Sequence, residues 1–242
     1  MPTEVWEFGE NPSKLNDYFW WSDDLPARKF YLFLAEIGHR LRHLMTDPDP
    51  IKMIDLCEQC AEGQITESEL GDLAHEHRPA IGEEKMASAV ANELYWWVAD
   101  RYKVHVDGFC EAVIYVPAIV AAVEAGLIQP QDDWRVIESV SDHPIFASTL
   151  EQTELEWGAL IRDIYGPNPF QPISFSPEWR TDTALQLARQ MYDSRDFSAM
   201  PILADALQEA GCDNEDILNH CRDTNATHVR GCWVVDLVLG KE

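Results

Sequence analysis

Basic residues are scarce in this chain, and their scarcity bears on the partners it can take. Lysine and arginine total 18 against 43 aspartates and glutamates, so the formal net charge at pH 7 is −25. A field of that sign repels phosphate backbones over a Debye length of about 8 Å at physiological salt, which disfavours direct nucleic-acid binding. We interpret the acidity first as a property that keeps the protein in solution. The alternatives are a basic protein partner and an acidic mimic, or decoy, of nucleic acid.

Long apolar runs are also missing, and a membrane-spanning helix needs about 20 apolar residues. The most apolar segment, Ala112 to Val123, is bounded by glutamates and interrupted by Pro117. The N-terminus has no basic region followed by an apolar one, as a signal peptide would have. We therefore expect a cytoplasmic protein without a membrane partner. In that compartment its 6 cysteines are expected to be thiols or metal ligands and not a disulfide framework.

Motifs for nucleophilic catalysis and phosphate binding are absent too. The chain contains no G-x-S-x-G elbow, no G-x-G-x-x-G fingerprint and no phosphate-cradling glycine loop. Pairs of acidic residues are abundant, but in so acidic a chain their occurrence is uninformative. The sequence leaves enzymatic activity undecided and favours a protein that is not an enzyme. It indicates no cofactor, with zinc as the one alternative.

Apolar residues occur at helical spacing along most of the chain. They recur every three or four residues from Pro26 to Met45, around Cys57, and through much of the C-terminal hundred residues. Thr66 and Glu69 have the spacing of a capping box that opens another helix. We expect a mostly α fold, a multi-helical bundle in which an N-terminal helical half packs on a C-terminal helical region.

The helical patterns suggest three regions that share one continuous core. These are an N-terminal helical region at 1–128, a connector at 129–150 and a C-terminal helical region at 151–242. The connector contains Pro130 and Asp132 but lacks the glycine and serine of a free linker. The last apolar segment, which ends at Leu239, is rich in β-branched residues, so helix and strand both remain open for it. Its apolar side chains are expected to complete the core.

Cysteine and histidine occur in two places whose side chains together suit zinc. Two cysteines three residues apart on a predicted helix would place both sulfurs on one face, and the C-terminal segment adds further sulfur and imidazole groups. Zinc takes four such ligands in a tetrahedron. Buried free cysteines are also ordinary core residues, so we interpret the thiols first as core and keep zinc as the alternative. The candidate ligands are Cys57, Cys60, Cys221, His228 and Cys232.

A second set of residues suits a protein partner. Positive charge in this acidic chain is concentrated at His220, Arg222 and Arg230. These residues are expected to form either an internal cluster of salt bridges or a surface that recognises a partner. Trp96 and Trp97 lie on a helix predicted from about 83 to 102, where they form core or the wall of a groove. The leading hypothesis is a non-enzymatic protein-interaction module. Metal binding and nucleic-acid mimicry are the alternatives. The other tryptophans proposed for the groove are Trp20, Trp21 and Trp134.

Three C-terminal segments resemble a group of uncharacterised bacterial proteins of planctomycete type. The segments are LIRDIYG from Leu160, LADALQEAGC from Leu203 and HVRGCWVVDL from His228. The resemblance implies a common fold for the C-terminal region and no activity, substrate or ligand. Ile37 and Gly38 stand where that group usually has a cysteine pair, and the missing pair weakens a shared metal site.

Overall fold

The fold is mostly α-helical, as the sequence predicts. The computed structural model describes residues 26–44, 48–76, 109–129, 136–168 and 173–241, and these ranges contain no strand. The α-helices are α1 (Ala27–Leu41), α2 (Pro48–Ala61), α3 (Glu67–Glu76), α4 (Phe109–Glu124), α5 (Ile137–Val140), α6 (Pro144–Tyr165), α7 (Asp182–Ser194), α8 (Met200–Glu209), α9 (Glu215–Arg222) and α10 (Trp233–Leu239). Short 3₁₀ helices are formed by Arg42–Leu44 and Pro177–Trp179. None of the described helices combines the length and apolar character needed to cross a membrane.

The chain divides into two compact units that differ from the regions expected from the sequence. One unit, called the C-terminal unit, comprises Met1–Lys29 and Gly158–Glu242, and the N-terminal unit comprises Phe30–Trp157. The boundaries fall inside α1 and α6, because both helices continue across them without a break. The expected connector at 129–150 contains α5 and the start of α6 in its described part.

The N-terminal unit shows the local features that its sequence predicts. Thr66 and Glu69 form the capping box, since the Thr66 amide donates to Glu69 Oε2 at 2.8 Å and the Glu69 amide donates to Thr66 Oγ1 at 3.2 Å. Tyr31 is buried on α1 and donates its hydroxyl to Glu67 Oε2 at 3.1 Å. On α2, Cys57 is buried and Cys60 is half-buried. Burial raises the pKa of the Cys57 thiol above its usual range.

The C-terminal unit is built around one apolar core to which α7, α8, α9 and α10 all contribute. The core also includes Cys212, Cys221 and Cys232, so the expected burial of Cys221 and Cys232 is confirmed. The last apolar segment does complete this core, and it is a helix, so the strand alternative was wrong. Tertiary packing on several sides overrides the strand preference of its β-branched residues. Its fully buried side chains include Val234, Val235 and Val238.

Side-chain caps fix where two helices of this unit begin. Thr181 Oγ1 accepts from the Ala184 amide at 3.2 Å and opens α7. Asn214 Oδ1 accepts from the Ile217 amide at 3.1 Å and opens α9. Asp213, directly before Asn214, would be an equally good cap by residue type alone. Asp, Asn and Ser are similarly good caps, so adjacent candidates are hard to separate from sequence.

Candidate metal centre

Four potential metal ligands from distant parts of the chain meet in the C-terminal unit. Asp163 lies in the last turn of α6 and His220 in the last turn of α9. His228 lies in the segment between α9 and α10, and Cys232 is the N-cap residue of α10. One ligand atom from each of the four lies within 4.8 Å of all the others. No second group of this kind occurs in the described part of the chain.

Asp163 is the centre of the cluster and is held on both oxygens. His228 Nδ1 donates to Asp163 Oδ1 at 2.9 Å, and His220 Nε2 lies 3.2 Å from the same oxygen. Oδ2 accepts from the Val229 amide at 2.8 Å. The Asp163 side chain is only 2% exposed. Burial opposes its ionisation, but the hydrogen bonds and positive charge from the two histidines outweigh burial and lower the pKa of Asp163.

Cys232 supplies the sulfur of the cluster. Its Sγ lies 3.2 Å from His220 Nε2, and the residue is fully buried. Burial, with a contribution from Asp163, raises the pKa of the Cys232 thiol well above its usual value. The sulfur is therefore a neutral thiol unless a cation takes the place of its proton, which is how metals bind cysteine.

His228 contacts the cluster through one of its two ring nitrogens. Its side chain is 7% exposed. While Nδ1 bonds Asp163, Nε2 is buried and has no hydrogen-bond partner among the described residues. Buried polar atoms of this kind are rare and point to a missing partner. An ion on Nε2 would lie on the opposite side of the ring from Asp163, so His228 and Asp163 can hold one ion together only through Nδ1. Coordination through Nδ1 would replace the hydrogen bond to Asp163.

The donor set fits zinc, and the ligand atoms, which all lie within 4.8 Å of one another, would move to its spacing on binding. Bonds of about 2.0–2.3 Å at tetrahedral angles place neighbouring ligand atoms about 3.3–3.6 Å apart. The close contacts in the cluster, 2.9 and 3.2 Å, are slightly shorter, as expected when hydrogen bonds take the place of the ion. Two imidazoles, one thiolate and one carboxylate are ligands that zinc accepts, whereas magnesium and calcium prefer oxygen alone.

The same side chains do not form a Cys–His–Asp catalytic triad. In a triad the nucleophile and the carboxylate bond opposite nitrogens of the imidazole. Here Cys232 Sγ and Asp163 Oδ1 both lie 3.2 Å from the same nitrogen, Nε2 of His220. A reactive cysteine also needs solvent access and a lowered pKa, and Cys232 has neither. The geometry therefore favours coordination over nucleophilic attack.

Aromatic packing holds the two imidazoles in place. The His220 ring stands edge-on to His228, with centroids 4.8 Å apart, and lies 5.1 Å from the Trp233 ring. Trp233 is buried at the start of α10, directly after Cys232. Packing of α10 against the unit thus orients His220 and the sulfur ligand together.

The first residues of α1 connect the helices that carry the ligands. Arg28 forms a salt bridge with Asp236 of α10 and donates to Tyr192 Oη of α7 at 2.8 Å. Lys29 Nζ donates to the carbonyl oxygen of Ile164, the residue after Asp163, at 2.8 Å. This buried ionic contact was not predicted, because nothing in the sequence around Arg28 indicates a partner more than two hundred residues away.

The structure brings together His228 and Cys232 from the set of predicted ligands. Cys221 is buried, and burial raises the pKa of its thiol to about 12, but it is not one of the four clustered residues. Cys57 and Cys60 lie on α2 of the N-terminal unit and belong to no group of potential ligands in the described residues.

Asp163 is the member of the cluster that sequence reasoning missed. It is one of 43 acidic residues, so its type alone carried no signal. A weak signal was available, since Asp163 follows Leu160 and Ile161 and precedes Ile164, all of which are buried. A carboxylate embedded in an apolar helical pattern needs a buried partner.

The described residues that were predicted for a protein interface contact different partners. His220 belongs to the ligand group, whereas Arg222 donates to Gln208 Oε1 at 2.7 Å. The guanidinium of Arg230 lies 4.8 Å from the centroid of the Tyr192 ring. The remaining residues of that prediction lie outside the described ranges, namely Trp96 and Trp97 with Trp20, Trp21 and Trp134.

Local backbone geometry at the end of α6 gives a testable consequence. Gly166 has a φ of 83°, and a Cβ there would lie 3.2 Å from Trp233 Cγ. We expect Gly166→Ala to lower the free energy of unfolding by about 2–4 kcal/mol, because backbone strain and the clash add. Gly211→Ala is the matched control, since its φ is 90° and nothing lies within 4 Å of the added Cβ. Urea unfolding measures both, and equal losses would contradict the clash.

The assignment of this site rests on its geometry. Comparison with protein-family models, with curated proteins and with solved structures found no match for the chain.

Proposed function

We propose that the C-terminal unit is a metal-binding module that holds zinc through Asp163, His220, His228 and Cys232. The observation that carries the proposal is the convergence of a carboxylate, two imidazoles and a thiol within 4.8 Å. Four protein ligands complete a tetrahedron, which is typical of structural zinc sites. Catalytic sites usually keep one position for water. The proposed role of the metal is therefore to hold the fold together.

The charge of the centre supports a divalent ion. One thiolate and one carboxylate neutralise the two positive charges of zinc, so the loaded site carries no net charge. This matters because Asp163 and Cys232 are almost completely buried, and a net charge in such a site is costly.

The metal would connect segments that are far apart in the sequence. His228 belongs to a stretch without helix, from Asp223 to Gly231. That stretch is joined through the cluster to the ends of α6 and α9 and to the start of α10. Binding energy at such a site contributes to folding, because the unfolded chain has no preformed set of ligands.

Cobalt substitution tests the ligand set directly. Co²⁺ bound at the proposed site should show the visible bands of a tetrahedral ion and a thiolate charge-transfer band in the near ultraviolet. Cys232→Ser should abolish the charge-transfer band, because it removes the only sulfur ligand. Cys221→Ser is the matched control and should retain it, since Cys221 is equally buried but outside the cluster.

The same spectra examine the ligands predicted from the sequence. Cys60→Ser should leave the charge-transfer band unchanged. Loss of the band in Cys60→Ser would overturn the proposed ligand set in favour of one that includes α2. Metal analysis of the protein, purified without chelators, should find zinc in equimolar amount, and its absence would count against zinc as the natural ion.

The other functional hypotheses stay predictions alongside this one. A cytoplasmic location suits the proposal, because a reducing compartment keeps Cys232 available as a ligand. A structural metal leaves the surface of the protein for other uses, so a protein partner, the interaction module and the nucleic-acid decoy are all compatible with it. Co-purification of partners from the native cell addresses these hypotheses, and kinship with the planctomycete-type group also remains a prediction.

A further inference from the structure

A lysine amine lies beside the candidate metal centre without belonging to its ligand set. Lys29 is half-buried on α1, in the part of that helix that belongs to the C-terminal unit. Its Nζ donates to the carbonyl oxygen of Ile164 at 2.8 Å, and Ile164 directly follows the ligand Asp163 in α6. The centroid of the Tyr165 ring lies 5.9 Å from the same nitrogen. The amine is thus held at the end of the helix that carries the carboxylate of the centre.

The acidic groups around Lys29 favour its charged form. Burial lowers the pKa of the Lys29 amine, whereas electrostatic attraction to Asp236, Cys232 and Asp163 opposes that change. Asp236 is already paired with Arg28 in a salt bridge. Asp163 forms its ion pairs with the two histidines of the cluster among the described residues. The positive charge of Lys29 therefore acts on both ligands that are negative when zinc is bound.

Zinc binding raises the net charge of the centre by one. Without metal, Asp163 is a carboxylate and Cys232 is a neutral thiol, so with neutral imidazoles the centre carries one negative charge. The ion brings two positive charges and displaces the proton of the thiol, which leaves the loaded centre neutral. A fixed positive charge nearby is attracted to the metal-free centre and not to the loaded one. Lys29 therefore stabilises the metal-free state relative to the zinc-bound state.

We infer that Lys29 weakens zinc binding at this centre and so sets the affinity with which the C-terminal unit holds its metal. The inference rests on the proposed function and adds to it a residue that regulates the site from outside the ligand set. The hydrogen bond to the Ile164 carbonyl keeps the ammonium group beside the centre in both states. The four ligands without Lys29 would retain zinc more tightly, and with Lys29 the ion passes more readily to a competing chelator.

Substitution of Lys29 tests the inference through the sign of the change in zinc affinity. Lys29→Met keeps a side chain of similar length and removes the charge, so zinc affinity should rise about tenfold, as expected for one unit charge several ångströms away. Competition with a chromophoric chelator at pH 7 measures the affinity. A merely structural role predicts the opposite sign, because loss of the bond to Ile164 would disturb the end of α6 and weaken zinc binding.

Three further variants separate the charge of Lys29 from its hydrogen bond and from the charge of the whole chain. Lys29→Gln retains a donor but no charge, and it should also tighten zinc binding. Lys29→Arg retains the charge and should bind zinc about as the wild type does. Lys241→Met is the matched control, because it removes the same charge from a lysine whose Nζ lies 4.4 Å from the centroid of the Tyr192 ring. It should change zinc affinity less than about twofold, since Lys241 acts on Asp236, which is not a ligand.

The results distinguish failure of this inference from failure of the proposed function. Wild-type protein that takes up no zinc would end the metal proposal and this inference together. Zinc uptake by the wild type with unchanged or weaker affinity in Lys29→Met and Lys29→Gln would overturn only the role of Lys29. Equal tightening in Lys241→Met would also overturn it, because the effect would then belong to the net charge of the chain.

Discussion

Removing zinc from the proposed site should lower the thermal midpoint of unfolding by about 8–16 °C. Zinc at about a thousand times its dissociation constant stabilises the folded state by about 4 kcal/mol. In a chain of 242 residues, each kcal/mol shifts the midpoint by about 2–4 °C. Calorimetry of chelator-treated protein, with and without added zinc, measures the difference.

Variants separate a ligand effect from a packing effect in that experiment. His228→Ala and Cys232→Ser should abolish the rise on adding zinc. Cys212→Ser should keep the rise even where its own midpoint is lower, because Cys212 is a buried cysteine outside the cluster. A wild-type midpoint that does not respond to zinc would rule out a stabilising metal at this site.

The zinc effect should also depend on pH in a fixed direction. Zinc needs a deprotonated sulfur and neutral imidazoles, so protons compete with it. Burial raises the pKa of the Cys232 thiol, so binding must release a proton from it at neutral pH. We expect the rise in midpoint to become smaller as the pH falls, because protons compete with zinc for the ligand atoms. A rise that grows on acidification would contradict thiolate coordination.

Arg28→Ala should lower the free energy of unfolding by about 3–5 kcal/mol, which is the usual cost of leaving a buried charge without its partner. Asp236 is 2% exposed at its side chain and receives hydrogen bonds from Arg28. The substitution also removes the bond from Arg28 to Tyr192. Urea unfolding at pH 7 measures the loss.

The loss should shrink as the pH falls. Burial raises the pKa of Asp236, and Arg28 opposes that rise. Without Arg28 the pKa of Asp236 in the folded state rises further. The variant therefore shows its full loss of stability at pH values above that raised pKa. The penalty decreases as the pH falls toward the ordinary carboxyl value, because protonated Asp236 needs no guanidinium.

Two further variants serve as controls for Arg28. Adding Asp236→Leu to Arg28→Ala should restore much of the stability, since an apolar pair often replaces a buried ion pair without loss. Arg222→Ala should cost at most about 1 kcal/mol, because Arg222 and Asp205 are 40% and 73% exposed. Equal losses of stability for Arg28→Ala and Arg222→Ala would contradict the buried contact. They would instead support the salt-bridge cluster predicted for His220, Arg222 and Arg230.

Local patterns were enough to predict most of the described helices. The spacing of apolar residues located α1, α2 and α7, and the Thr66 capping box has the expected bonds. These features depend on neighbours within a few residues, which a sequence shows directly. The boundary between the units was not accessible in this way, because it falls inside two unbroken helices.

Only two of the four residues in the candidate site were predicted as metal ligands from the sequence. His228 and Cys232 were identified by residue type and proximity along the chain, and Cys57 and Cys60 were grouped with them by the same reasoning. Asp163 carried only a weak signal, its position among apolar residues of α6, although it stands at the centre of the cluster. Residue type indicates what a side chain can bind but not which distant residues it will meet.

Composition and periodicity thus established an acidic, mostly helical chain and a C-terminal segment that had to be buried, because these properties arise from each residue and its near neighbours. Tertiary structure decided the rest. Only the packing of α10 against α6, α7 and α9 brings Asp163 to His220, His228 and Cys232, and brings Arg28 to Asp236. Such contacts join residues up to 208 positions apart, and their energies come from burial, which no local pattern records.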